Sequence, residues 1–277
     1  MLNLPDITLC AVSGSLLPQT LAAMDHARAC ARFADVVFLT DRPRDLPKRA
    51  GMRVVAVDAL RSRQEYSLVV QRGLGAHIHS PFVMLMQWDG YPVRPANWTD
   101  EFLDYDYIGA PWPQFPREIA VGNGGFSLRS RRLLDACDDP LFHLGHPEDL
   151  GICHVNRTLL EVAYGLKFAP IELAQRFSCE RTGLRSATFG FHGLFNMPYE
   201  MGLDAFLSFF AGLDLRQIGV RERCDLRDVL LQAQTDAAHG AARRLAKDLM
   251  LHAWREPTLW RHVWRKLKGR PPEIPLD

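Results

Sequence analysis

Residues 82–88, FVMLMQW, are the most apolar run in the chain, and they stop at Asp89-Gly90-Tyr91. A run of this kind reads as a buried central strand. Its abrupt end at Asp-Gly is the position where open α/β sheets hold ligands, at the carboxyl edge of the strands. The residues upstream fit the same architecture. ITLCAV (7–12), DVVFLT (35–40) and RVVAV (53–57) are short apolar runs. Between the first two, QTLAAMDHARACARF (19–33) places Leu21, Met24, Ala27 and Ala31 at helical spacing. Strands alternating with helices imply a parallel α/β sheet.

Further along, 62–78 is predicted as a helix opened by Ser62, with Glu65 three residues on as a capping box. WTDEFLDYD (98–106) reads as a short helix and turn, YIGAPW (107–112) as a strand, and 113–120 as a Pro-rich loop. VGNGGFSLRS (121–130) is a Gly-rich turn entering a strand, followed by the helix RRLLDAC. Residues 146–164 are expected as one helix with Pro147 in its first turn. KFAPIELAQRFS and TFGFHG are expected as two short strands. From about 200 to 267 the pattern is helical, with Phe206, Phe209 and Phe210 on one face.

The chain has 277 residues, of which 47% are hydrophobic and 23% charged. This is an ordinary globular composition, and it excludes disorder, collagen and a disulfide miniprotein. The length permits one large domain, or a domain with a small appendage. A net charge of +1 argues against nucleic acid as a partner of the whole surface. No stretch is long and apolar enough to span a bilayer, and the N-terminal residues lack the basic region of a signal peptide. The six cysteines are scattered without a CxxC pair, which predicts reduced, buried thiols in a cytoplasmic protein, with a zinc site as the alternative.

Four constellations could carry chemistry. Asp89, in Gln87-Trp88-Asp89-Gly90, could hold Mg2+ or Mn2+ beside a phosphate, or simply form a turn before Gly. Val121-Gly122-Asn123-Gly124-Gly125-Phe126 has three glycines that permit positive φ and close approach of a ligand, or form a β-turn. It is neither GxGxxG nor a Walker loop. Glu148-Asp149 could supply a base, or cap a helix N-terminus. His192, between glycines at the end of an aromatic strand, is open to a ligand or is an ordinary core histidine.

The order of these elements resembles the GT-A glycosyltransferase core. The strings QWDGY, WTDEFLDYDYIGAPW, VGNGGFSLRS, HPEDLGIC and FAPIELAQRFSCE are similar to signature blocks of a bacterial, glycosyltransferase-like family catalogued as a domain of unknown function. The similarity covers roughly residues 5–195. It implies a Rossmann-type mixed sheet flanked by helices over 1–199, with a helical C-terminal appendage over 200–277. It also implies transfer of a sugar from a nucleotide-diphosphate sugar, with inversion, to a glycan or lipid-linked acceptor in bacterial surface polysaccharide synthesis. A UDP-sugar is the favoured donor.

Carried over by motif, Asp89 matches the last acid of DxD and His192 the second metal ligand, for Mn2+ or Mg2+. Gln87 departs from the first acid of DxD and leaves the site one charge short. Asp149, with Glu148, matches the catalytic xED position. Val12, Ser13, Gly14, Asp41, Arg42, Trp88 and Asp89 are assigned to the donor. Trp112, Asn123, Gly124 and Gly125 are assigned to the acceptor, with the tryptophans either stacking on sugar rings or packing in the core. Arg129 is read as a surface residue at a strand exit, with pairing to a phosphate as the alternative.

Residues 243–277 hold nine basic residues against four acidic ones, interleaved with Trp254, Trp260 and Trp264. This stretch, 243–270 in particular, is either an amphipathic contact with the inner face of the cytoplasmic membrane or a helix packing its Trp face onto the protein. Two other functions compete with the transferase. One is a non-catalytic nucleotide-sugar or glycan-binding module, which Gln87 favours. The other is a nucleotidyltransferase-like enzyme, which the absence of Lys or Arg in SGSLLPQT disfavours.

Overall fold

The computed structural model describes residues 1–252. The chain divides into two compact units, Met1–His192 and Gly193–Asp277.

The first unit opens with strand β1 (Leu2–Val12), helix α1 (Leu17–Cys30), β2 (Ala31–Thr40) and β3 (Arg53–Ala56). Helix α2 (Arg63–Leu68) follows, with Ser62 Oγ accepting the Glu65 amide at 3.1 Å, and wide turns continue it through Val69–Gly73. Then come β4 (Phe82–Met86), β5 (Gly90–Pro92), β6 (Tyr107–Gly109), β7 (Phe126–Ser130) and α3 (Arg131–Ala136). The unit closes with α4 (Glu148–Leu150), α5 (Arg157–Tyr164), α6 (Ile171–Phe177), β8 (Ser178–Cys179) and β9 (Gly190–His192).

Six strands form one mixed sheet in the order β3-β2-β1-β4-β7-β6. The first four in this order are parallel, and β7 runs antiparallel to both β4 and β6. The apolar run is therefore central, as its composition demands: Val83 to Met86 have no exposed surface. Val70, Leu74, Ile78 and Leu134 pack with Val37, Leu39, Val83 and Leu85. Fully burying side chains of this size contributes about 1.5–3 kcal/mol each. Phe102, Phe126, Phe177 and Phe189 form a second apolar cluster, with Trp98 edge-on to Phe102 and Phe189.

The antiparallel direction of β7 has a consequence for function. Met86, the last residue of β4, pairs with Phe126, the first of β7. The glycine-rich turn before β7 therefore lies at the same sheet edge as Gln87-Trp88-Asp89. A second, three-stranded sheet, β5-β9-β8, pairs Gly90 with His192. The residue after Asp89 is thereby joined to the end of β9.

Several elements differ from expectation. KFAPIELAQRFS is mostly helix, because Pro170 starts a turn that buries Leu173, Ala174 and Phe177 on one face; only Ser178–Cys179 is strand. The segment 146–164 is not one helix. It widens through Gly151–Val155 and restarts at Arg157, because the Asn156 side chain accepts from the His143 amide and donates to the carbonyls of His143 and Gly151. Residues Asp100–Asp104 form tight 3-10 turns capped by Thr99.

In the second unit, α7 (Met197–Met201), α8 (Leu203–Ala211), α9 (Val220–Gln232) and α10 (Asp236–His252) are all helical. Phe206 and Phe210 are buried and stacked, while Phe209 makes a tilted contact with Phe206. Arg244 donates to the carbonyls of Phe210, Ala211 and Leu213 at 3.0–3.3 Å, satisfying the end of α8. One cation of the basic segment thus supports the fold. Trp254, Trp260, Trp264 and the rest of that segment beyond 252 lie outside the described residues. No described helix is long and apolar enough to cross a membrane.

Candidate active site

The turn Asn123-Gly124-Gly125 is the meeting point of the candidate groups. The Gly124 amide donates to Asp149 Oδ2 at 3.1 Å. A Cβ on Gly124 would overlap the Glu148 carboxylate and lie 2.9 Å from Asp149 Cβ. A Cβ on Gly125 would overlap the His192 ring at Nε2. A Cβ on Gly90 would lie 2.7 Å from another atom of that ring, His192 Cδ2. The glycines therefore serve a different purpose from the one expected. None of Gly122, Gly124 and Gly125 has positive φ, and the space beside Gly124 and Gly125 is filled by the chain's own acids and histidine rather than left for a sugar.

Glu148 and Asp149 face different environments. Glu148 is 4% exposed and its Oε1 accepts from Arg129 Nη2 at 2.9 Å. Arg129 has no exposed surface, which corrects its assignment as a surface residue. Its Nε donates to Ser127 Oγ, and its guanidinium lies over the Tyr107 ring. The physical reason is the alternation along β7, which turns Ser127 and Arg129 together toward the acid pair. A cation and an anion buried together compensate each other's lost hydration. Glu148 is thus sealed away and paired. Asp149 keeps partial exposure. Burial raises its pKa from 3.8 to about 7 and the neighbouring Glu148 carboxylate adds to the rise, against the opposing amides of Gly124 and Leu150 and the charge of Arg129. A carboxylate poised near neutral pH can accept a proton from a hydroxyl.

His192 stands between oxygen atoms. Its Nε2 lies 3.4 Å from Gln87 Oε1 and 3.8 Å from Asp89 Oδ1. Its Nδ1 lies 3.1 Å from the Asn123 side-chain amide and 3.6 Å from Glu180 Oε1. Asp89 is 3% exposed. Gln87 Nε2 donates to Tyr66 Oη at 2.9 Å, and burial pushes the Tyr66 phenol pKa up.

Among the described residues, no group of three or more His, Cys, Asp or Glu side chains is arranged to hold a metal ion. Asp89 and His192 make a pair at Nε2, one carboxylate and one imidazole, with the ring packed against Gly90 and Gly125. That donor set cannot enclose a cation. It could hold Mg2+ or Mn2+ only where phosphate oxygens and water complete the shell.

The other candidates separate. Val12 ends β1 at the carboxyl edge and Ser13 follows it, its amide donating to Leu39 O. A Cβ on Gly14 would lie 2.7 Å from Leu60 Cβ and 2.9 Å from Asp41 Oδ1. Asp41 Oδ2 accepts the Leu60 amide, and its Oδ1 is buried without a hydrogen-bond partner among the described residues. Val12, Gly14 and Asp41 thus share one edge. Arg42 does not join them, since it pairs with Asp45 at the surface. Trp88 is partly exposed, whereas Trp112 is 7% exposed and fills the slot left by Gly122, stacked on His154. Trp112 is core, not a sugar platform. A cleft of about 350 Å3 near Phe82, Tyr105, Arg131 and Lys167 lies at the opposite strand ends, away from these groups.

A family described as a protein of unknown function (DUF5672) matches residues 51–192. The chain belongs to the DUF5672 family. The matched residues hold Asp89, the glycine turn, Asp149 and His192. No curated protein matches this DUF5672 chain. Its fold is similar to several solved structures. One is the bifunctional IspDF from Campylobacter jejuni, at 14% identity and a TM-score of 0.41, covering 54% of this chain and 47% of that one. This chain spans about half the length of that protein. A second is a glycosyltransferase involved in glycosylation of the major capsid of PBCV-1, at 10% identity and a TM-score of 0.39, covering 67% and 91%. A third is the mannosyltransferase PcManGT from Pyrobaculum calidifontis in complex with GDP-Man and Mn2+, at 12% identity and a TM-score of 0.38, covering 92% and 82%.

Sequence reasoning missed Arg129, Glu180 and Tyr66. Arg129 was detectable from the period-2 pattern of FSLRS. Glu180 closes the string FAPIELAQRFSCE, but nothing local ties it to His192.

Proposed function

We propose that the chain is a glycosyltransferase using a nucleotide-diphosphate sugar. The observation that carries this reading is the Asn123-Gly124-Gly125 turn, which holds an ionisable base on one side and an Asp–His pair on the other. Asp149 takes the proton of an acceptor hydroxyl. The acceptor oxygen forms the new bond to the anomeric carbon as the bond from that carbon to the diphosphate oxygen breaks, with inversion. Glu148, paired with Arg129, helps hold the basicity of Asp149 up. Asp89 and His192 would hold Mn2+ or Mg2+, which supplies charge to offset a diphosphate leaving group. Val12, Ser13, Gly14, Asp41 and Trp88 lie on the donor side, and the acceptor is a glycan or lipid-linked sugar. Bacterial surface polysaccharide synthesis, at the inner face of the membrane, is the setting this chemistry suits.

The test is release of nucleoside diphosphate from a panel of UDP-, GDP- and dTDP-sugars with Mn2+. Release by the wild type and its loss in Asp149→Asn supports the reading. A wild type that binds these donors but releases nothing supports a second one, a non-catalytic nucleotide-sugar binder. That alternative is favoured by Gln87, a neutral side chain already bonded to Tyr66 where an acid would strengthen the site.

A further inference from the structure

The acid pair sits on a very short element. Helix α4 spans only Glu148–Leu150, after a loop and before the wide turns of Gly151–Val155. A single turn has no helical stability of its own, so packing must set the direction in which Asp149 points. That packing comes from the wide turns that continue α2. Gln71 is 2% exposed, and its carboxamide is bonded to the backbone at two points of the segment that carries the acids. Its Oε1 accepts the Gly145 amide at 3.1 Å, and its Nε2 donates to the Glu148 carbonyl at 3.2 Å. Four residues earlier, Ser67 Oγ lies 2.9 Å from His146 Nδ1.

Two features fix this carboxamide. Exchanging its ends would set its NH2 group against the Gly145 N–H and its oxygen against the Glu148 carbonyl, so the backbone dictates one orientation. Gly151 then supplies the room: a Cβ there would lie 2.5 Å from Gln71 Nε2. The Gly151 backbone is ordinary right-handed helix, with φ −55° and ψ −49°, so its conformation does not call for glycine. The close approach of Gln71 does.

We infer that Gln71 is a positioning residue, which clamps the backbone of residues 145–151 and so holds the Asp149 carboxylate in place against the Gly124 amide. Asp149 is then gripped from two elements. The glycine turn holds its side chain, and the continuation of α2 holds its backbone. Proton transfer is sensitive to such a grip, since a misplacement of about 1 Å can cost about 10²-fold in rate. This inference rests on the reading of Asp149 as the base.

Rate, proton affinity and placement test it separately. In Gln71→Ala, kcat for diphosphate release should fall about 10²-fold, with KM for the donor unchanged. The acid limb of the pH–rate profile should move to lower pH as water reaches Asp149, because burial is the largest cause of its raised pKa, ahead of Glu148. Hydrogen exchange of the Gly124 amide, which is bonded to Asp149, should speed up. Gly151→Ala displaces the carboxamide while keeping a helical backbone, and it should reproduce all three changes. It carries the same readouts should Gln71→Ala not fold. Added to Gln71→Ala, it should cost nothing further, since the clash is gone. If the variants lower only the melting temperature and leave rate, pH profile and Gly124 exchange as in the wild type, Gln71 serves the fold alone and the inference is overturned. If the wild type releases no diphosphate, the base assignment is overturned, while Gly124 exchange still decides whether Gln71 holds the carboxylate.

Discussion

The Gly124 amide and the Asp149 carboxylate are joined by a 3.1 Å hydrogen bond across the turn that also seats His192. That bond stabilises the ionised acid, while burial and Glu148 oppose ionisation. The balance near pH 7 defines when the site can work. Activity should rise about tenfold per pH unit below 7 and level off above it, because only ionised Asp149 accepts a proton. Asp149→Asn should lower the rate by about 10²–10⁴-fold with donor binding retained. A pH–rate profile on diphosphate release checks both.

The same shift has a thermodynamic sign. Asp149 has a higher pKa in the folded chain than its unfolded value of 3.8. The folded state therefore binds extra protons between about pH 4 and 7, and this group's contribution to stability falls as pH rises through that window. Asp149→Asn should raise the melting temperature at pH 8 and change it little at pH 4. Calorimetry at the two pH values decides it, and an equal change at both would contradict the assignment.

Arg129 and Glu148 should be tightly coupled. Arg129→Met leaves a buried carboxylate alone and should cost about 3–5 kcal/mol. Arg129→Met with Glu148→Leu should recover much of that stability while activity stays low. Urea unfolding in a double-mutant cycle measures the coupling.

The two central glycines should fail differently. Gly124→Ala pushes on Glu148 and Asp149 and should abolish turnover while Mn2+-dependent binding of a nucleoside diphosphate persists. Gly125→Ala displaces His192 and should lose that Mn2+-dependent diphosphate binding as well. Each is expected to cost about 1–3 kcal/mol in stability from overpacking. Loss of that binding in both to the same degree would mean that the turn acts as one unit.

Trp112→Ala should destabilise the fold by about 3–5 kcal/mol, since the indole fills the slot over Gly122. Denaturation should show this loss, and acceptor affinity per folded molecule should not change.

The sheet and the positions of Asp89, Asp149 and the glycine turn were legible because each is marked locally. An apolar run ends at an Asp, glycines cluster, and acids follow a proline. The rest was not legible because it depends on distant partners. Arg129 looks like a surface cation until the mixed sheet turns it onto Glu148. The glycines look like room for a ligand until His192, Glu148 and Asp149 arrive from later in the chain. The helix at Ile171–Phe177 looks like strand because its apolar residues are closely spaced and only packing reveals its period.

The pairing of Gly90 with His192 has a temporal side. A chain emerging from the ribosome can assemble β1 to β7 and carry Asp89, the glycine turn and, soon after, Asp149. It lacks the histidine until β9 emerges and closes against β5. This closure joins residues 90 and 192, far apart in sequence, and such long-range contacts form late because the loop entropy must be overcome first. A growing polypeptide therefore cannot bring Asp89 and His192 together before that point. The donor grip proposed for this pair should appear only once the whole first unit has been synthesised.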